Sequence, residues 1–203
     1  KADQIVIENL KKCKKLLSNG KLTHSYPHSW RSKAPLVHRA TSQWFISMEE
    51  RDLRKKALKA IDNTDFYPER GRDRIRSMIE TRPDWCVSRQ RIWGVPLPLF
   101  VSKKTKEPLK DSEVIENIAK IFEKEGADCW FTDDPQKFLG KKYKKEDYIK
   151  SSDIVEVWFD SGATHSYVLE KRKDLAWPAS MYLEGSDQHR GWFHSSLLES
   201  CGT

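Results

Sequence analysis

Apolar residues recur along this chain in two ways, clustered near the spacing of a helical turn or gathered in short runs. Ile5, Ile7, Leu10, Cys13, Leu16 and Leu17 stand among lysines and predict an amphipathic helix over residues 4–18, with Asp3 placed to cap it and Gly20 to end it. Leu53, Ala57, Leu58 and Ile61 share one face of a second helix over 49–61, and Ile75, Met78 and Ile79 one face of a third over 70–80. A fourth runs over 112–124, where Val114, Ile115, Ile118, Ile121 and Phe122 form the apolar stripe and Gly126 follows the end. Short apolar runs separate these helices. Residues 153–162 read as a strand closing on Asp160, Ser161 and Gly162, and Met181, Tyr182 and Leu183 as a buried strand that breaks at Gly185. From His189 onward, Trp192, Phe193 and Ser196 to Leu198 resume a helix, while 21–35 and 83–98 read as strand and turn and 37–48 as an extended segment. Strands interleaved with helices predict the α/β class.

Composition modifies this picture in one place. Lysines crowd into 103–110 and 141–150, on either side of the helix at 112–124, so 101–150 reads as a small surface subdomain inserted between two strands, its charge runs solvated. With 37% hydrophobic and 33% charged residues, the 203-residue chain is polar for one compact domain, and part of it is expected to be an appendage or insertion. Thirty-seven Lys and Arg against 30 Asp and Glu leave a net charge of +7 and a pI near 9.1. That balance suits a polyanion such as RNA and equally a Lys-rich soluble surface.

The four cysteines, Cys13, Cys86, Cys129 and Cys201, are far apart and form no CxxC pair, so reduced thiols in the cytoplasm are the expectation. No apolar run approaches the roughly 20 residues of a membrane span. The chain starts at Lys1 without an initiator Met and stops at Thr203, from which an internal piece of a longer protein is expected.

Three stretches carry candidate chemistry. At 184–189 a strand is expected to meet a helix, the place where open α/β sheets bind ligands. Asp187 can accept from hydroxyls, Gly185 admits close approach of the backbone, and Gln188 can donate and accept at once. A plain reading stands beside this one, in which Asp187 caps a helix. The second stretch is the Asp160-Ser161-Gly162 end of the preceding run, where Asp160 reads as a structural residue. The third, 84–98, interleaves Arg89 and Arg91 with Trp85 and Trp93, which offers phosphate contacts and stacking faces, or an Arg–Trp stack that holds the loop together. Cys86 and the histidines have no matched base, which speaks against Cys–His nucleophilic catalysis.

Asp153–Gly162, Asp84–Pro98 and Met181–Phe193, in combination with His24–Met48, closely resemble the catalytic core of class I aminoacyl-tRNA synthetases, in the spelling of the bacterial isoleucine-specific branch. The resemblance covers nearly the whole chain. It implies a partial Rossmann-type parallel sheet with a small inserted α+β subdomain and the tail of an editing domain. It also implies an order of segments: 1–36 the editing tail and return linker, 37–100 a catalytic segment with the Arg/Trp loop, 101–150 the connective insertion, and 151–203 the strand–helix segment with the adenylate motif.

The implied activity is ATP-dependent activation of isoleucine and its transfer to tRNA(Ile), with valine errors removed by an editing domain largely outside this chain. The implied adenylate contacts are Glu184, Gly185, Asp187 and Gln188, with Trp158 and Trp192 walling the isoleucine side chain if the two predicted strands are neighbours. Arg89, Arg91 and Trp93 are implied at the tRNA acceptor end, and Trp44 at the hinge between editing and catalytic domains, or simply as a packed core residue. ATP and Mg²⁺ belong to the complete enzyme, because the family's two phosphate-binding signatures do not occur here; the chain alone is expected to be inactive. Related synthetases carry two cysteines where this chain has Ser29 and Ser32, so no zinc is expected although His24 and His28 are present. A monomer without membrane attachment is expected. The alternatives are a synthetase for another branched aliphatic amino acid and a non-catalytic tRNA-binding fragment.

Overall fold

The computed structural model describes residues 2–203, which fall into two units dividing between Thr41 and Ser42. In the first unit, helix α1 spans Ala2–Lys12 and buries none of its residues. It ends short of Gly20 because Lys14 takes a φ of +53°, which breaks the helical ladder. Asp3 sits inside the first turn, where its charge favours the helix N-terminus, and not at the cap. The expected strand over 21–35 is a turn closed by one bridge between His28 and Pro35, with the Tyr26 hydroxyl donating to the Leu36 carbonyl at 2.7 Å.

In the second unit, helices α2 (Leu53–Asp62) and α3 (Arg70–Glu80) form a layer with the last helix, α8 (Trp192–Gly202). Leu53, Ala57 and Ile61 of α2, Ile75 and Ile79 of α3, and Leu198 of α8 bury against Met48, Trp85 and Val87. The helical members recur at helical spacing, and fully burying a Leu or Ile side chain among them contributes about 1.5–3 kcal/mol. Arg54 of α2 donates to the carbonyls of Ile79, Glu80 and Arg82 at 2.5, 3.1 and 2.8 Å. It satisfies the open C-terminus of α3 from the neighbouring helix.

The strands are short and pair antiparallel. β1 (Phe45–Ile46) pairs with β2 (Trp85–Cys86), and β3 (Ser88–Arg89) with β6 (Ile154–Val155), Ser88 standing opposite Val155. No parallel ladder forms among the described residues. The strand expected through Gly162 stops at Val155, and Val157–Gly162 winds into helix α7. Phe159 and Gly162, three positions apart, turn inward there, and Phe159 packs on Trp85 at 5.9 Å. Nor does 181–183 join a sheet: Met181 and Leu183 are 75% and 79% exposed on either side of a half-buried Tyr182.

β4 (Phe100–Ser102) and β5 (Tyr148–Lys150) pair with Phe100 opposite Lys150 and close off the segment between them. That segment has a core of its own, built on α4 (Ser112–Glu125), α5 (Cys129–Thr132) and α6 (Pro135–Leu139). Asp111 caps α4 by accepting from the Glu113 N–H at 2.9 Å. Trp130 is fully enclosed between Phe100 at 5.1 Å and Phe138 at 4.9 Å, and its indole N–H donates to the Ser151 carbonyl at 2.8 Å. Lysines of the 141–150 run are ion-paired, Lys142 with Asp111 at 2.6 Å and Lys145 with Asp134, and Lys137 of α6 pairs with Glu125 at 2.5 Å and Asp133 at 2.7 Å. Such surface pairs contribute little each. Truncating Trp130 should matter far more. Trp130→Ala is expected to cost about 3–5 kcal/mol in denaturant unfolding; a midpoint unchanged from wild type would contradict an independent core.

Candidate functional site

The site is built around the turn that precedes α8. Ser186–Arg190 form one turn of 3-10 helix that starts at Gly185, and Gly191 then leads into α8. His189 pins the turn to the helical layer: its Nδ1 hydrogen-bonds the Ser186 carbonyl at 2.6 Å, and its ring packs on Phe193 and lies over Gly71 of α3. With an acceptor opposite, Nδ1 carries the proton.

Gln188 bridges the turn and the helix. Its carboxamide oxygen accepts the Trp192 N–H at 2.9 Å, and its NH₂ donates to Asp187 Oδ2 at 3.1 Å. The cap of α8 is therefore Gln188, and the capping role considered for Asp187 does not hold. Asp187 stays exposed, oriented by Gln188, and a side chain on Gly185 would meet Asp187 Oδ1 at 2.6 Å. Glu184 is exposed next to it. The result is an exposed carboxylate on a hydrogen-bonded turn, suited to accept hydrogen bonds from paired hydroxyls.

The two tryptophans reach this turn by a route different from the one expected. Trp158 lies in α7, not at a strand end, and it meets the turn at Gly191, where a Cβ would stand 2.9 Å from the indole. Trp192 donates its indole N–H to the Ser161 carbonyl of α7 at 2.9 Å. The close packing of α7 on α8 thus replaces the expected strand neighbourhood: Trp158 and the Gln188 carboxamide both lie against Gly191, and the Trp192 N–H donates to that same carboxamide. Tyr182, expected in a strand, stacks on Trp192 at 4.1 Å and shares a hydrogen bond with Ser196 at 2.8 Å. Its only sequence signal was an aromatic ring inside a short apolar run.

The Arg/Trp loop divides into two parts. Trp85, counted above as a stacking face, is 6% exposed and donates to Glu156 Oε1 at 2.9 Å, so it belongs to the core. Arg89 donates to the carbonyls of Cys86 and Ser88 at 3.0 and 2.8 Å and faces Glu156 at 3.6 Å, so most of its guanidinium holds the loop. Arg91 and Trp93 project outward, Trp93 being 90% exposed. Together with Gly94, Glu156 and Asp160 they line an open cleft of about 270 Å³. Burial, reinforced by Glu156, holds the Asp160 carboxyl above its ordinary range.

The family model described as tRNA synthetases class I (I, L, M and V) matches residues 6–203. The chain belongs to this synthetase family. It is 79% identical over 203 residues to an isoleucine–tRNA ligase of Pelagibacter ubique, covering all of this chain and 22% of that protein. It is 56% identical to one of Brucella abortus biovar 1 and 54% to one of Caulobacter vibrioides, covering 21% and 22% of those proteins. The chain thus spans about a fifth of the length of the curated relatives it matches.

In this synthetase chain the turn with Ser29 and Ser32 is closed by hydrogen bonds. Ser29 Oγ accepts from the Ser32 N–H at 3.3 Å and His28 Nδ1 bonds the Tyr26 carbonyl at 2.7 Å. Elsewhere Glu125, Cys129 and Asp133 stand close enough together to share a cation, and both carboxylates already hold the Lys137 ammonium. All four cysteines are free thiols, and no helix among the described residues is long and apolar enough to cross a membrane.

Proposed function

We propose that this chain is the adenylate-holding part of an isoleucine–tRNA ligase. One observation carries the reading: Gln188 links the exposed Asp187 carboxylate to the start of α8, where Trp158 lies against Gly191 and Trp192 bonds α7. In the reaction, the isoleucine carboxylate oxygen attacks the α-phosphorus of ATP and pyrophosphate leaves. A terminal ribose hydroxyl of tRNA(Ile) then attacks the aminoacyl carbonyl, AMP leaves and the hydroxyl proton is lost. Neither step needs a covalent enzyme intermediate, so the protein's work is positioning and electrostatic stabilisation.

Asp187 accepts from the adenylate ribose hydroxyls, Gln188 holds Asp187 in place, Gly185 lets the sugar approach, and Glu184 adds an outer contact. Trp158 and Trp192 wall the aliphatic side chain. Arg91 and Trp93 meet the tRNA acceptor end, with Arg89 fixing their loop. Positive charge on such a surface would favour the polyanion.

In this reading, 1–36 is the editing tail and return linker, 37–100 and 151–203 belong to the catalytic domain, and 101–150 is the connective insertion. The short pairs β1–β2 and β3–β6 would then lie beside a Rossmann-type sheet completed by other parts of the protein. Those parts would also hold the ATP triphosphate and Mg²⁺, since none of the described residues repeats the family's phosphate signatures.

The test is ATP–pyrophosphate exchange by the full-length protein, run with isoleucine, valine, leucine and methionine. Isoleucine is expected to give the highest kcat/KM; preference for another of the four would move the assignment within the family. The 203-residue chain alone is expected to give no isoleucine-dependent exchange. Exchange above the no-amino-acid blank would contradict the placement of the triphosphate site outside it.

A further inference from the structure

Helices α7 and α8 meet where one of them has no side chain. A Cβ on Gly162 would stand 2.8 Å from Glu199 Cδ and 3.0 Å from the Ser195 carbonyl carbon, so the Glu199 carboxyl lies directly on the α7 backbone. Glu199 is 7% exposed, and its Oε1 is buried with no hydrogen-bond partner among the described residues. Two helical turns back along the same contact, Trp192 bonds the Ser161 carbonyl, and Gly191 abuts Trp158. The carboxyl and the two indoles are therefore parts of one seam.

We propose that Glu199 is a positioning residue: lodged on Gly162, its carboxyl side chain sets α7 against α8 and so holds Trp158 and Trp192 at the spacing the substrate side chain needs. The proposal rests on the reading of the tryptophan pair as the wall of the amino-acid pocket.

The seam holds the neutral acid better than the anion. A buried carboxylate without a donor is costly, and Asp160 and Glu156 add negative charge from α7 and the residue before it. Burial first, then these two neighbours, push Glu199 up to about 8. The other titratable groups nearby are His165, whose ring bonds the Gly162 carbonyl at 3.1 Å, Tyr182, which faces Glu199 from the segment ahead of the turn, and His194, held near 4 by burial and by Arg82 and therefore neutral. Lys56 of α2 acts on Cys201 at the far end of α8.

Folding raises this acid above its ordinary value of 4.5, so the folded protein keeps a proton that the unfolded chain releases. The associated stability is complete below the ordinary value and is lost as pH rises towards the folded one. Above it, the anion forms beside Glu156 and Asp160 and loosens the seam. From pH 7 to 9 the neutral fraction falls about tenfold, and apparent affinity falls with the competent fraction.

The experiment compares full-length wild type, Glu199→Gln and Trp192→Ala in ATP–pyrophosphate exchange between pH 7 and 9. Wild type is expected to show an isoleucine KM rising about tenfold more than that of Glu199→Gln, whose neutral amide keeps the shape, while their ATP KM profiles coincide. Titration of the substrate amino group is common to both proteins and cancels in the comparison. Melting temperatures give a second readout: the advantage of Glu199→Gln over wild type should widen from pH 5 to pH 8.

Superimposed isoleucine KM profiles, or a melting difference that does not change with pH, would overturn the proposal. The underlying reading fails separately, if Trp192→Ala weakens isoleucine and ATP alike. A Trp192→Ala effect confined to isoleucine, with superimposed Glu199→Gln profiles, would overturn the Glu199 proposal alone.

Discussion

Replacing Asp187 by alanine in the full-length protein is expected to cut isoleucyl-adenylate formation roughly ten- to a hundredfold while leaving the fold unchanged. The magnitude is that of a charge-assisted hydrogen bond, about 1.5–3 kcal/mol, lost where the ribose hydroxyls would donate. The separation of activity from stability rests on geometry. Gln188, not Asp187, takes the first free N–H of α8, and the bond from Gln188 to Asp187, at 3.1 Å, lies on an exposed surface. Breaking it leaves the cap in place. Pyrophosphate exchange and a melting curve on the same preparation check both halves. Activation within twofold of wild type would remove Asp187 from the site, and a lowered melting temperature would give it a structural role instead.

Trp192→Ala is expected to raise the isoleucine KM by at least about tenfold and the ATP KM much less. An apolar wall is what a branched aliphatic side chain requires, since hydrogen bonds cannot tell isoleucine from valine. One methylene is worth only about 1–3 kcal/mol; the handful of synthetases that choose isoleucine over valine are the standard case, so such a pocket needs editing behind it. Removing a whole indole face should cost at least the upper part of that range.

Trp192 also bonds Ser161 at 2.9 Å and stacks on Tyr182 at 4.1 Å, so alanine will lower stability too. Trp192→Phe separates the effects. It keeps an aromatic wall and loses only the N–H, and should retain most of the isoleucine affinity with a reduced melting temperature. Equal loss of affinity for isoleucine and ATP in Trp192→Ala would make it an ordinary core residue.

Regular helices were the most legible part of this chain. The stripe of Ile75 and Ile79 located α3 within its observed bounds Arg70–Glu80, and Val114 and Ile118 located α4, whose start is fixed by Asp111. Short apolar runs were not legible in the same way. Five or six apolar residues fit a buried strand and a buried helical turn equally, so residues 157–162 were read as strand although they form α7. The run at 181–183 is three consecutive apolar residues, which fits a buried strand, yet it pairs with no neighbour among the described residues.

Residues of the candidate site were visible by type, because carboxylate, amide, glycine and indole next to one another are uncommon. Their partners were not. Nothing in the spacing marks Tyr182 as the ring stacked on Trp192, or shows that Trp85 and most of Arg89 are consumed by Glu156 and the loop backbone. Glu199 was the least visible. A glutamate on a helix ordinarily faces water, and only the missing side chain of Gly162 on the opposing helix turns this one inward.

Asp187, Gln188, Trp158 and Trp192 are proposed to hold isoleucyl-adenylate together. A crystal structure of the full-length protein with a non-hydrolysable isoleucyl-adenylate analogue tests it most directly. The analogue's ribose hydroxyls are predicted within hydrogen-bond distance of Asp187, and its branched side chain in contact with both indoles. An analogue bound with its ribose away from the 185–188 turn, or its side chain touching neither Trp158 nor Trp192, would contradict it.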